Sequence, residues 1–314
     1  MVTESKMKLN RIEWIDITKG IAIFLMVIGH TSIPVPLSKW IWSFHMPLFF
    51  IISGLLFNKE KYTSIKVFFK SRIRSLVIPY IVFSSIILFT RNDLSWTRWL
   101  YEGWMNGWAL WFIPVLFITE LFCFYLIRLN YLIIISFSIA FIGCIFCWSS
   151  IRLPYNLDVC FMAGAFYLIG FIFKDKIKEL QFKRILVIAL LVTNLVLSSL
   201  LLPRTDMANN ACGIYPFNML NAVIGTVSII LFSKLLVNNE YLIIFRRFYN
   251  WAGSNTIIIL GLSQWINILM KDFLGNNSLP FLSIGRHILL WFFLWIISLV
   301  LNRYFPFLIG KKTK

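Results

Sequence analysis

Ten stretches of this 314-residue chain are apolar over a length near that of a bilayer crossing, at 13–33, 40–57, 76–91, 108–128, 131–148, 157–173, 185–202, 215–236, 254–271 and 282–308. Little sequence is left between them for a separate soluble domain. At 59% hydrophobic, 18% aromatic and 14% charged, the composition lies far outside the range of soluble globular domains. The expected fold is therefore all-α: a polytopic transmembrane bundle of about ten spans, formed as one domain over 1–314. A short segment at 1–12 precedes it and a basic tail at 309–314 closes it. No internal repeat is evident.

The basic residues fix an orientation. With ten spans both ends lie on one side, and that side collects 22 Lys and Arg against 7 on the other, with Lys19 inside the first span. The positive-inside bias places both termini in the cytoplasm. The net charge of +17 follows mostly from those loops and suits contact with the anionic headgroups of the lipid bilayer. Its dispersal over short loops argues against nucleic acid as a partner. The first span lacks a small-residue cleavage site and reads as an uncleaved signal anchor. Cys123, Cys144, Cys147 and Cys160 fall within spans and Cys212 in or near an outer loop, so buried apolar thiols are expected. Cys144 and Cys147 have metal-like spacing, but without a second pair no metal site is expected.

Ionisable groups at membrane depth mark candidate working sites. Lys19 and His30 lie eleven residues apart on one helical face, about 16 Å along the axis, and Asp16 is placed to pair with Lys19 at i,i+3. His30, His45 and His287 all fall in the outer half of their spans. Imidazole takes a proton near neutral pH, which is what activating a hydroxyl requires. Lys70, Arg72 and Arg74, just before the third span, either bind phosphate oxygens or supply plain inner charge. Glu120, mid-span, must be paired or face a cavity. Asn218, Asn221, Asn255, Gln264 and Asn267 either line a cavity or join helices by hydrogen bonds. Asp158 with Arg152 reads as a structural pair. The outer loop at 92–107, with Trp96, Trp99 and Trp104 leading to Trp108, is an interfacial belt or a stacking platform for a sugar. The loop at 203–214, with Arg204, Asp206, Asn209 and Asn210, is polar enough to face an aqueous acceptor.

Four segments together resemble the acyltransferase-3 family of integral membrane acyltransferases, in particular its sugar O-acetyltransferase branch. They are Asp16-Ile17-Thr18-Lys19-Gly20 leading to Gly29-His30, then Phe44-His45-Met46-Pro47-Leu48-Phe49-Phe50 with Ser53-Gly54, the basic patch ending in Ile78-Pro79-Tyr80, and Trp111-Phe112-Ile113-Pro114. The resemblance implies transfer of an acyl group, by default acetyl, from cytoplasmic acyl-CoA, a substrate and not a bound cofactor. The acceptor would be a hydroxyl of a cell-surface glycan or its lipid-linked saccharide precursor, and the setting a bacterial cytoplasmic membrane. His30 takes the family's catalytic histidine, with Lys19, Asp16 and His45 beside it in the catalytic set. Lys70, Arg72 and Arg74 take the acyl-CoA patch, and Glu120, Trp111 and Ser53 are candidates for the substrate cavity. Two departures stand out: Ser75 replaces an expected second arginine, and the ninth span reads Leu262-Ser263-Gln264-Trp265 where a histidine is common. The rival reading is a transporter or flippase for lipid-linked saccharides, which would more often show repeats or matched broken helices.

Overall fold

The computed structural model describes residues 12–90, 109–149, 151–153, 156–274 and 280–311, with the side chains of 273–274 and 280–283 excepted. The tryptophan loop at 92–107, Trp108 and the basic residues of the first segment lie outside the described residues. Each of the ten apolar stretches carries a helix, and no named β-strand occurs among the described residues. In chain order these are α1 (Glu13–Gly29), α2 (Val35–Leu55), α3 (Ile65–Arg72) continuing into α4 (Ile78–Thr90), α5 (Phe112–Leu126), α6 (Leu132–Ser149) and α7 (Leu157–Ile172). Then come the short α8 (Lys174–Glu179), α9 (Arg184–Val196), α10 (Phe217–Val237), α11 (Ile243–Ser254), α12 (Thr256–Leu274) and α13 (Pro280–Tyr304). Seven helical segments among the described residues are long and apolar enough to cross a membrane. The expected first, sixth and ninth spans fall on α1, α7 and α12, which are shorter or more polar than that.

The helices sort into a centre and a rim. Over their best windows, α2 is 61% buried and the helix ending at Leu126 is 67% buried, whereas α9 and α13 are each 17% buried. The central helices pack Ile17, Ile23, Phe44, Leu48 and Phe50 with almost no exposure. The rim helices turn outward Phe137 on α6, Ile185 on α9 and Phe292 on α13, the side chains a hydrocarbon solvent would take.

Two helix pairs at the centre approach to backbone contact. Gly20 of α1 faces the carbonyl of Tyr249 on α11, while Gly253 of α11 faces the carbonyl of Asp16. Gly54 of α2 meets the Tyr167 carbonyl on α7, and Gly170 of α7 meets that of Ile51. At all four positions a Cβ would overlap the partner backbone. This is small-residue packing of the kind that holds helices together where burial from water supplies no drive.

Proline shapes two irregular turns. A π-helical turn at Ile73–Val77 joins α3 to α4, and Pro79 lacks the N–H that would have bonded the Ser75 carbonyl four residues earlier. A second π turn at Leu197–Leu201 ends α9 just before Pro203. One expectation for the cysteines is corrected: Cys147, at the end of α6, forms a disulfide with Cys212, with Cα atoms 6.0 Å apart. The loop before α10 folds back onto the end of α6, and a sequence separation of 65 residues gave no local sign of it. Cys123, Cys144 and Cys160 are free and buried.

Candidate active site

α1 and α2 are joined by a tight connection, so the last turn of α1 lies beside the first turns of α2. His30 is the residue that ends α1, its N–H bonding the Met26 carbonyl at 3.2 Å. Its ring meets the edge of Trp42 at 5.4 Å between centroids, and Trp42 in turn meets His45 at 5.5 Å. The indole therefore contacts both imidazoles. Its own Nε1–H donates to the Gly29 carbonyl at 3.2 Å, tying α2 to the end of α1. His45 is buried, and its Nδ1 lies 2.9 Å from the Ile41 carbonyl. A carbonyl only accepts, so Nδ1 carries the proton and Nε2 keeps the lone pair of the neutral ring.

These three rings line one cavity of about 160 Å³. Its other walls are Ala109 and Trp111 from the turn before α5, Leu260 from α12, and Asp206 and Asn209 from the loop before α10. The Gln264 side chain on α12 accepts the Ala109 N–H at 2.8 Å and so holds one wall in place. Sequence reasoning assigned no role to Trp42, and it left Gln264 among the amides that line a cavity or join helices. Trp42 was within reach, since it precedes His45 by three residues and shares its helix face.

The loop carrying Asp206 is fastened on every side. Thr205 donates to the Trp42 carbonyl at 3.0 Å, and the Arg204 guanidinium lies over the Trp42 ring at 4.1 Å. Asp206 and Ala211 exchange two backbone hydrogen bonds of 2.8 Å each. Asn218 accepts from Ile214 and donates to the Pro203 carbonyl, while Arg152 donates to the Ala208 carbonyl. The disulfide to Cys147 completes the attachment.

Most of the remaining candidates lie apart from this cavity. Lys19 pairs with Asp16 at 2.7 Å, about three turns of α1 away from His30, where α1 meets α11. Ser53 lies about 12 Å further along α2 than His45 and does not line the cavity. Trp111 does line it. His287 lies on α13 and does not contribute to its wall. Glu120 and Arg72 find each other: the ion pair is 2.9 Å, with the carboxylate side chain only 3% exposed. The Arg72 guanidinium also lies 5.1 Å from the Phe68 ring centroid and 5.6 Å from that of Tyr62. Lys70 is exposed and Arg74 half-buried on the π turn, where the Arg74 carbonyl abuts Gly310 near the end of the chain. Arg152 and Asp158 pair at 3.0 Å, as expected of a structural brace. The intramembrane amides join helices: Asn194 donates to Asn221, Asn221 to Ser198, and Ser198 to Ser43.

A bundle of apolar helices, with a histidine-lined cavity at one end, fits an integral-membrane protein. The profile of the acyltransferase-3 family, described as an acyltransferase domain, matches residues 12–310. The chain belongs to that family, and its class of activity is acyl transfer. No curated relative and no solved structure matches it.

Proposed function

We propose that this protein moves an acyl group, by default acetyl, from cytoplasmic acyl-CoA to a hydroxyl of a cell-surface glycan or its lipid-linked precursor. The observation that carries the proposal is the cavity shared by His30, His45 and Trp42, in a chain that belongs to an acyltransferase family. An imidazole beside a cavity takes the proton of an incoming hydroxyl, and the resulting oxygen attacks the thioester carbonyl. In the orientation that the charge bias of the loops supports, that cavity faces outward and the acceptor arrives from outside. Phosphates of the donor would meet Lys70, Arg72 and Arg74 at the opposite end, in a bacterial cytoplasmic membrane with both termini inside. Lys19 with Asp16, about three turns of α1 inward of His30, would line the donor's path.

The test is mass spectrometry of surface glycans from the host with the gene intact, deleted, or carrying His30→Ala. Loss of the acyl increment on deletion, unrestored by His30→Ala at normal protein levels, is the expected result. Intact acylation with His30→Ala would overturn the role given to this histidine. Loss of the glycan itself from the surface would point instead to transport of a lipid-linked saccharide.

A further inference from the structure

We infer that Asp206 is the positioning residue of His30: its carboxylate, held over the cavity by a loop fastened at both ends, stabilises the imidazolium that forms as the acceptor hydroxyl gives up its proton. The inference rests on the proposed transfer reaction and adds to it a residue from a different part of the chain.

Asp206 and His30 line the same cavity of about 160 Å³. The loop at 203–214 that closes over this cavity carries two charged side chains, Arg204 and Asp206. Arg204 spends its guanidinium on the face of Trp42, 4.1 Å away. From α2 the facing titratable group is His45, whose Nδ1–H is committed to Ile41. α12 and the turn before α5 present Leu260, Ala109 and Trp111, none of which titrates in the working range. The carboxylate of Asp206 is thus the one negative charge among the described residues lining the cavity.

Its placement is built. Both backbone hydrogen-bonding groups of Asp206 are taken by Ala211, and one carboxylate oxygen accepts from the Asn209 side chain at 2.9 Å. The neighbouring Thr205 is bonded to α2, and Cys212, one residue past Ala211, is bonded to α6. A charge held this firmly needs no reorganisation when the opposite charge appears beside it, which is the condition for electrostatic stabilisation of a reacting group.

The step balances without any further reactant. The acceptor O–H bond breaks as the new C–O bond forms at the thioester carbonyl, and the proton passes to His30. The C–S bond breaks, the CoA thiolate leaves, and it takes the proton back from the imidazolium. Asp206 exchanges no proton in this sequence and acts through His30.

The test uses the full-length protein in lipid nanodiscs, with acetyl-CoA as donor and the glycan fraction of host membranes as acceptor, following thiol release across pH. Asp206→Asn is expected to lower kcat about tenfold with KM for acetyl-CoA unchanged. Losing the carboxylate makes the imidazolium less stable, so the acid limb of the pH profile should move down by about one pH unit. Asp206→Glu should keep the wild-type limb and recover most of the rate. An unchanged rate and limb in Asp206→Asn, with His30→Ala inactive, overturns the inference alone. A lower rate with the limb in its wild-type place makes Asp206 only a loop anchor and also overturns it. An active His30→Ala overturns the transfer reading beneath.

Discussion

Glu120 and Arg72 show how much a single pair of residues carries in this bundle. Their ion pair is 2.9 Å long and the carboxylate is almost wholly shielded, so removing one partner leaves the other charge without compensation in a poorly polarisable interior. Glu120→Gln should therefore lower stability by about 3 kcal/mol, read as a drop in the thermal unfolding midpoint in detergent. Replacing both, as in Arg72→Met with Glu120→Leu, should restore much of that loss. An effect of Glu120→Gln comparable to that of an exposed pair would mean that water reaches the site. Glu120 also shows what was legible. An acid in the middle of an apolar run must be paired or face a cavity; which of the two, and with what partner on another helix, is fixed only by packing.

At the scale of elements, the sequence reading worked where the signal is local. Hydrophobic runs are properties of contiguous residues, so every expected stretch holds a helix. The roof over the cavity was not legible, because its fastenings join residues far apart: Cys147 to Cys212, Thr205 to Trp42, Arg152 to Ala208. The polarity of that loop was visible; that it brings Asp206 into the wall of the cavity lined by His30 was not. The reciprocal glycines were equally silent, since a glycine within a span has no single reading. Gly170→Leu would force α7 away from the Ile51 carbonyl of α2. The expected cost is about 2 kcal/mol or more, seen as lower yield of folded protein and a lower unfolding midpoint. A variant as stable as the parent would show that the two helices separate freely.

For the whole molecule, the asymmetry of charge predicts that both ends of the chain lie in the cytoplasm. A reporter that is active only in the cytoplasm should work when fused after residue 314, and one active only outside the membrane should work when inserted in the loop at 203–214. The opposite pattern would reverse the bundle and leave the histidine cavity facing inward. The same loop carries the disulfide, and an oxidising compartment on its side agrees with the outward placement.

The paired glycines carry a mechanical consequence. α1 is locked to α11 and α2 to α7, so each pair moves as a single bar. His30 rides on the first bar, whereas Trp42 and His45 ride on the second. The seam between the bars runs through the histidine-lined cavity, and the indole hydrogen bond from Trp42 to Gly29 crosses it. An acceptor too large for the closed chamber would have to part the bars there, like the jaws of a clamp, and the two imidazoles would regain their working distance only as the jaws shut behind it.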